Sequence, residues 1–162
     1  MNIFIDTEFA HDASTAVDLI SIGLVAADGR EFYAEHNDFD PALVNSFVRG
    51  NVLPLLRTNG VPMLSACALQ RATLAWLELF KDDGVVVCFD NVIDWSLLSK
   101  LLGNETLPWL GSRNIRDNID WNVRKQFFAL TRLTEHHALH DAHANRFAVM
   151  SDPFNRFMGA AS

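Results

Sequence analysis

Cysteine is scarce in this chain of 162 residues, which has two, Cys67 and Cys88. Both lie in apolar surroundings, and one pair in a chain of this size makes no disulfide framework, so two buried free thiols are expected. Long apolar runs are missing as well. No stretch approaches the roughly 20 residues needed to span a bilayer, and the N-terminus lacks a basic region followed by an apolar one. The expectation is therefore a cytoplasmic protein with no membrane association. Repeats, low-complexity tracts and interdomain linkers are absent too. The chain reads as one domain over 1–162, long enough to bury a core without staples.

Positive charge is in short supply. Thirteen Lys and Arg face twenty Asp and Glu, a formal net charge of −7, which disfavours a generic nucleic-acid coat protein because phosphate binding draws on a basic footprint. The imbalance is uneven, however. Residues 1–50 carry nine acids against Arg30 and Arg49, whereas Arg113, Arg116, Arg124, Lys125 and Arg132 cluster in one later stretch. Those bases either track a phosphate backbone or form a solvated helix face. Two bound divalent cations would offset four negative charges, so a metal-dependent enzyme acting on phosphodiesters stays open.

What is present begins with Asp6-Thr7-Glu8 inside the apolar run Asn2-Ile3-Phe4-Ile5-Asp6-Thr7-Glu8-Phe9. On a strand, residues i and i+2 share a face. Two carboxylates held close raise each other's pKa unless a cation lies between them, and Mg²⁺ favours one or two carboxylates with waters and substrate phosphates. The alternative is a half-exposed strand showing two acids to water. Further strands are expected over 19–25 and 30–35, joined by the hairpin signal Asp28-Gly29. Asp40-Pro41 opens a short helix over 41–49. The pattern over 64–80 is helical, and Val85-Val86-Val87-Cys88-Phe89 reads as a buried parallel strand. A helix over 94–102, a short strand within 111–116, helices over 118–130 and 134–149, and a loosely packed tail from Asp152 complete the reading. The order βββαβαβα predicts an α/β fold with a mixed sheet.

Two further acids fall at element ends. Asp94 follows the 85–89 strand and either caps its helix or joins a site. Asp141 lies in His136-His137-Ala138-Leu139-His140-Asp141-Ala142. In order, Asp-x-Glu on the first strand, Phe89-Asp90-Asn91-Val92-Ile93-Asp94-Trp95, and His136-x-Ala138-x-x-Asp141 resemble the DEDDh family of 3′–5′ exonucleases. Leu19-Ile20-Ser21-Ile22-Gly23 and Asp28-Gly29-Arg30-Glu31-Phe32-Tyr33-Ala34 bring the likeness closest to a small mycobacterial-type bacterial exoribonuclease branch. It spans about 2–150.

The resemblance implies a ribonuclease H-like fold, a mixed five-stranded sheet flanked by helices. It implies two divalent cations, Mg²⁺ or Mn²⁺, held by Asp6, Glu8, Asp94 and Asp141, with Asp6 between the two ions. His136 is implied as general base on the last helix, a role that suits histidine. The expected activity is removal of nucleoside 5′-monophosphates from the 3′ end of single-stranded RNA or RNA 3′ overhangs, and a homodimer fits the resemblance. A proofreading-type DNA 3′–5′ exonuclease and a non-catalytic nucleic-acid-binding module are the alternatives. Thr7, Phe9 and Trp95 are candidate substrate contacts, the aromatics by stacking on a base or else by packing into the core. Asp90 either lines the site or serves the turn. His137, His140 and His143 crowd the same stretch as His136. The His136/His140 and His137/His140 spacings suit a transition metal, although no Cys partner lies nearby. The choice of His136 over His137 rests on the motif register.

Overall fold

The apolar alternation at the N-terminus becomes the middle of a sheet. In the computed structural model, which describes residues 1–11, 16–58, 60–61, 63–105 and 107–150, β1 (Asn2–His11), β2 (Val17–Ala26) and β3 (Glu31–His36) form an antiparallel meander. Asp28-Gly29 turns β2 into β3, with Gly29 at φ +97° and its N–H donating to Ala26 O at 2.9 Å. β4 (Met63–Leu64) extends β3 in parallel. β5 (Val85–Phe89) lies parallel to β1 on its other side, and β6 (Leu110–Asn114) lies parallel to β5. The order is β4-β3-β2-β1-β5-β6.

This is the mixed α/β sheet expected, compatible with a ribonuclease H-like fold, with six strands in place of five. The sixth is β4. Two residues are too few to carry a periodic pattern, and their strand conformation comes from pairing with Glu35 and His36.

Helices α1 (Ala66–Glu78) and α2 (Val92–Leu101) cover one face, and α4 (Ala138–Met150) covers the other, with α3 (Trp121–Thr131) packed against α4. β1 feeds both sides because its side chains alternate. Ile3 and Ile5, fully buried, meet Leu69, Leu77, Leu97 and Leu98 on the α1/α2 side. Phe4 meets Ala148 and Val149 on the α4 side. Burying each such side chain stabilises the fold by about 1.5–3 kcal/mol. The strand is thus gripped from both faces before it turns acidic at Asp6 and Glu8, on the α4 side. No helix among the described residues is long and apolar enough to cross a membrane.

α4 comes unusually near the sheet at Gly23 of β2. A Cβ there would lie 2.4 Å from the backbone carbon and oxygen of Ala138 and from Leu139 N, all backbone atoms that cannot swing aside. Gly23 is also the ladder partner of Asp6. Gly23→Ala is expected to lift the start of α4 from β2, lowering stability by about 1–3 kcal/mol and moving Asp141 away from Asp6. A thermal melt and a turnover assay check this, and an unchanged melting temperature would contradict it.

Three expectations are corrected, and one open alternative, Asp94 as a helix cap, is closed. The helix over 41–49 is broken into short turns. Asp40 caps the first as expected, its Oδ1 accepting from Ala42 N at 2.8 Å, but the turn ends at Leu43. Asn45 Oδ1 then accepts from Val48 N at 2.9 Å, and a wider turn follows, closed by Leu53 N on Val48 O; the Asn side chain diverts the backbone. The last helix starts at Ala138, not 134, for a reason given below. Asp94 is not a cap; Asn91 caps α2, accepting from Ile93 N at 3.1 Å. Cys67 is exposed near the start of α1, where Arg71 donates to its Sγ at 3.3 Å, and Cys88 alone is buried. The tail from Asp152 lies outside the described residues.

Candidate metal centre

β1 places Asp6 and Glu8 side by side on the α4 face. Asp90 leaves the carboxyl end of β5, Asp94 sits in the first turn of α2, and Asp141 in the first turn of α4. These five carboxyl groups converge as two triads, Asp6 with Asp90 and Asp94, and Asp6 with Glu8 and Asp141. Within each triad the candidate ligand oxygens lie within 4.8 Å of one another. Asp6 belongs to both.

Burial, joined by repulsion between carboxylates at Asp6, Glu8 and Asp94, shifts four of these acids upward, Asp141 being the fourth. The Asp6 carboxyl is held well above the ordinary range, first by burial and then by Asp94, Asp141, Glu8 and Asp90. Glu8 is pushed up to about 8 by burial, then by Asp141 and Asp94. Asp94 is raised to about 7, again chiefly by burial; hydrogen bonds from Thr7 oppose the shift and Asp90 adds to it. Burial also raises Asp141, against the pull of Arg124.

Thr7, a candidate substrate contact, has its side chain turned to Asp94. Its N–H and Oγ1–H donate to Asp94 Oδ1 at 3.1 and 2.7 Å, in buried surroundings. Asp94 Oδ2 is buried and has no hydrogen-bond partner, an exception among buried polar atoms. Such an oxygen is compatible with a divalent cation as its partner. Thr7→Val removes the shorter bond and frees the Asp94 side chain to turn. The expected result is roughly 10–100-fold weaker divalent-metal affinity, measured by calorimetric titration with Mn²⁺; unaltered affinity would remove Thr7 from the centre.

Asp141 is held on both oxygens. Arg124 of α3 donates to Oδ1 through a short ion pair, and the backbone N–H groups of His136 and His137 donate to Oδ2 at 2.7 and 3.2 Å. That double capture explains the late start of α4. Asp141 pulls the two preceding amides inward, and His136 adopts φ +65°, a conformation a non-glycine residue holds at a cost of about 1–3 kcal/mol. His136 is therefore a loop residue, not the helical one expected. Its ring packs edge-on to Phe47 at 4.9 Å and is near enough to Asp141 to favour the charged carboxylate.

The neighbouring histidines are engaged elsewhere. The ring of His137 stacks between Tyr33 at 4.4 Å and His140 at 4.0 Å. Burial, and then His140, lower its pKa to about 4, so it is neutral near pH 7. His140 Nδ1 lies 3.1 Å from Thr134 O, and His143 Nε2 lies 2.7 Å from Glu31 Oε2. Among the described residues no three histidines gather as metal ligands. Phe9 packs partly onto the α1/α2 core with His11 at 5.8 Å, and Trp95 lies nearly parallel to Phe89 at 6.4 Å against the same core. Both are partly buried against it.

Two features of the centre escape sequence reasoning. Arg124 also donates through Nε to Asn145 Oδ1 at 2.8 Å, and Asn145 Nδ2 donates to Asp90 Oδ1 at 2.9 Å. A guanidinium and a fully buried amide thus link Asp141 to Asp90. The signal available was Asn145, one helical turn after Asp141 and so on the same face. The second feature is Gly23, whose missing side chain lets α4 approach.

The donor set is all carboxylate oxygen, which suits hard divalent cations such as Mg²⁺ or Mn²⁺, and the partnerless Asp94 Oδ2 fits the same group. No protein-family model matches the chain. Proteins named 3′–5′ exoribonuclease from two strains of Mycobacterium tuberculosis are 55% identical to it over 56 residues, 35% of this chain and 33% of theirs. The match spans about a third of the length of these curated relatives.

Proposed function

We propose that this protein is a metal-dependent 3′–5′ exoribonuclease that releases nucleoside 5′-monophosphates. The observation that carries the reading is the double membership of Asp6 in two oxygen triads. One triad, with Glu8 and Asp141, would hold one divalent cation, and the other, with Asp90 and Asp94, a second. Together with Arg124, two such cations balance five ionised carboxylates in charge. When bound, they supply Lewis-acid stabilisation of the attacking and leaving oxygens of an in-line displacement.

The chain's own groups do the rest. His136 takes the proton from the attacking water, an imidazole standing beside Asp141 on a turn that Asp141 itself shapes. Thr7 and Arg124 hold Asp94 and Asp141 in place. The names of the mycobacterial relatives support RNA as the strand and the 3′ end as the point of attack.

The test is a 5′-labelled oligonucleotide assay with Mn²⁺, with and without chelator, on matched RNA and DNA. A ladder shortening from the 3′ end of RNA, stopped by chelator, is expected. Faster cleavage of DNA would overturn the RNA assignment. Binding without cleavage would make the protein a non-catalytic module.

A further inference from the structure

The strands β1, β5 and β6 run parallel, so their carboxyl ends lie at one end of the sheet, the end where ligands of open α/β sheets gather. Asp90 emerges there from β5, beside the acidic centre. The chain leaving β6 emerges there too. Ile115 N donates to Phe89 O at 2.8 Å, and Ile115 and Ile119 are buried, so this segment is pinned to the end of β5. Its exposed residues are Arg116, Asp117, Asn118 and Asp120, followed by Trp121 at the start of α3.

Trp121 is 43% exposed. The guanidinium carbons of Arg116 and Arg124 each lie 5.8 Å from the centre of its ring. Arg124 is the same residue that grips Asp141, so a continuous path runs from the acidic centre through Arg124 and Trp121 to Arg116. Arg113 and Lys125 are exposed on the adjoining segments. Of the nearby acids, Asp120 is used in capping α3, its Oδ1 accepting from Asn122 N at 2.9 Å and Val123 N at 3.2 Å; Asp117 is exposed. A partly exposed indole with two guanidinium groups over its ring, at the edge of the acidic centre, matches the combination that single strands require: a stacking platform beside charges that follow the backbone. A duplex would keep its bases from the ring.

We propose that Trp121, flanked by Arg116 and Arg124, is the platform on which single-stranded RNA stacks a base upstream of its 3′-terminal nucleotide. The terminal nucleotide itself lies at the acidic centre. Trp121 receives a base further along the strand, and Arg116 meets phosphate beyond it. The platform rests on the hydrolytic reading of the acidic centre, and it makes affinity depend on strand length: an oligonucleotide too short to reach Trp121 gains nothing from it.

Fluorescence anisotropy of 5′-labelled oligouridylates, three and eight nucleotides long and held in Ca²⁺, tests this on the full chain. The eight-mer is expected to bind the native protein more tightly than the three-mer. Trp121→Ala is expected to weaken eight-mer binding about tenfold or more and to affect the three-mer little, while Trp121→Phe restores most of the loss. Arg116→Ala is expected to reduce the slope of log affinity against log salt by about 0.7. Equal loss for both lengths, or native eight-mer affinity in Trp121→Ala, overturns the platform. A Trp121-dependent length effect in a protein that cleaves nothing with Mn²⁺ leaves the platform standing and removes the hydrolytic reading. Cleavage of RNA with no Trp121 effect does the reverse.

Discussion

Asp6→Asn is expected to lower turnover on the order of 10³-fold or more while making the metal-free protein more stable at pH 8. Both effects have one source. Asp6 stands in both oxygen triads, so the amide weakens both cation sites at once, and metal-derived charge stabilisation in a transition state amounts to several kcal/mol, where 1.36 kcal/mol is tenfold in rate. The same carboxylate is the most crowded acid of the centre, repelled by Asp94, Asp141, Glu8 and Asp90, so removing its charge relieves the apo state. Asp141→Asn and His136→Ala separate the two roles further. Both are expected to abolish most turnover, with about 10²–10⁴-fold from loss of a general base, yet only Asp141→Asn should strongly weaken Mn²⁺ binding. Steady-state kinetics with calorimetric titration reads both, and equal loss of metal in the two variants would contradict the general-base role of His136.

Chelator-treated protein is expected to lose stability as pH rises from about 5 to about 8, and divalent metal to restore it most at the alkaline end. The sign follows from proton linkage. Glu8 and Asp94 titrate near 8 and 7 in the folded chain but near the ordinary carboxyl range when unfolded. Between those values the folded state holds more protons, so unfolding becomes easier as pH increases. A bound cation favours the ionised carboxylates and reverses the trend. At about 100 times its dissociation constant a metal adds roughly 2.7 kcal/mol, a rise of about 5–10 °C in Tm for a chain of this size. Melting curves at pH 5 and pH 8.5, with and without Mg²⁺, provide the measurement. A metal-induced shift of equal size at both would show that these carboxyls are not the ligands.

Particular residues show where sequence reading reached and where it stopped. Asp6 and Glu8 were legible because strand alternation is local, and the placement of Asp94 and Asp141 near them came from a resemblance in motif order. Asp90 was open, since a residue at a strand end can serve the turn or the site equally well; the parallel pairing of β5 with β1 decides it by carrying that strand end beside Asp6. The helical composition of the run 134–149 predicts a helix at His136. The structure puts it in a turn because the Asp141 carboxylate captures two backbone amides, a contact that composition does not encode. Trp95 and Phe9 had packing as their alternative, and the structure shows both packed. The Thr7 hydroxyl reaches Asp94, 87 residues away, a contact that strand alternation does not encode.

By itself, the sequence determined the α/β class, the acidic β1, the Asp28-Gly29 hairpin and the four helices, because propensity, alternation and turn chemistry act over a few neighbouring residues. Only the tertiary structure decided that Asp90 joins the acids, that Arg124 closes on Asp141, that Gly23 lets α4 reach the sheet and that Trp121 stays partly exposed beside them. The first three join residues at least 17 apart in the chain, brought together when both faces of β1 are buried at once.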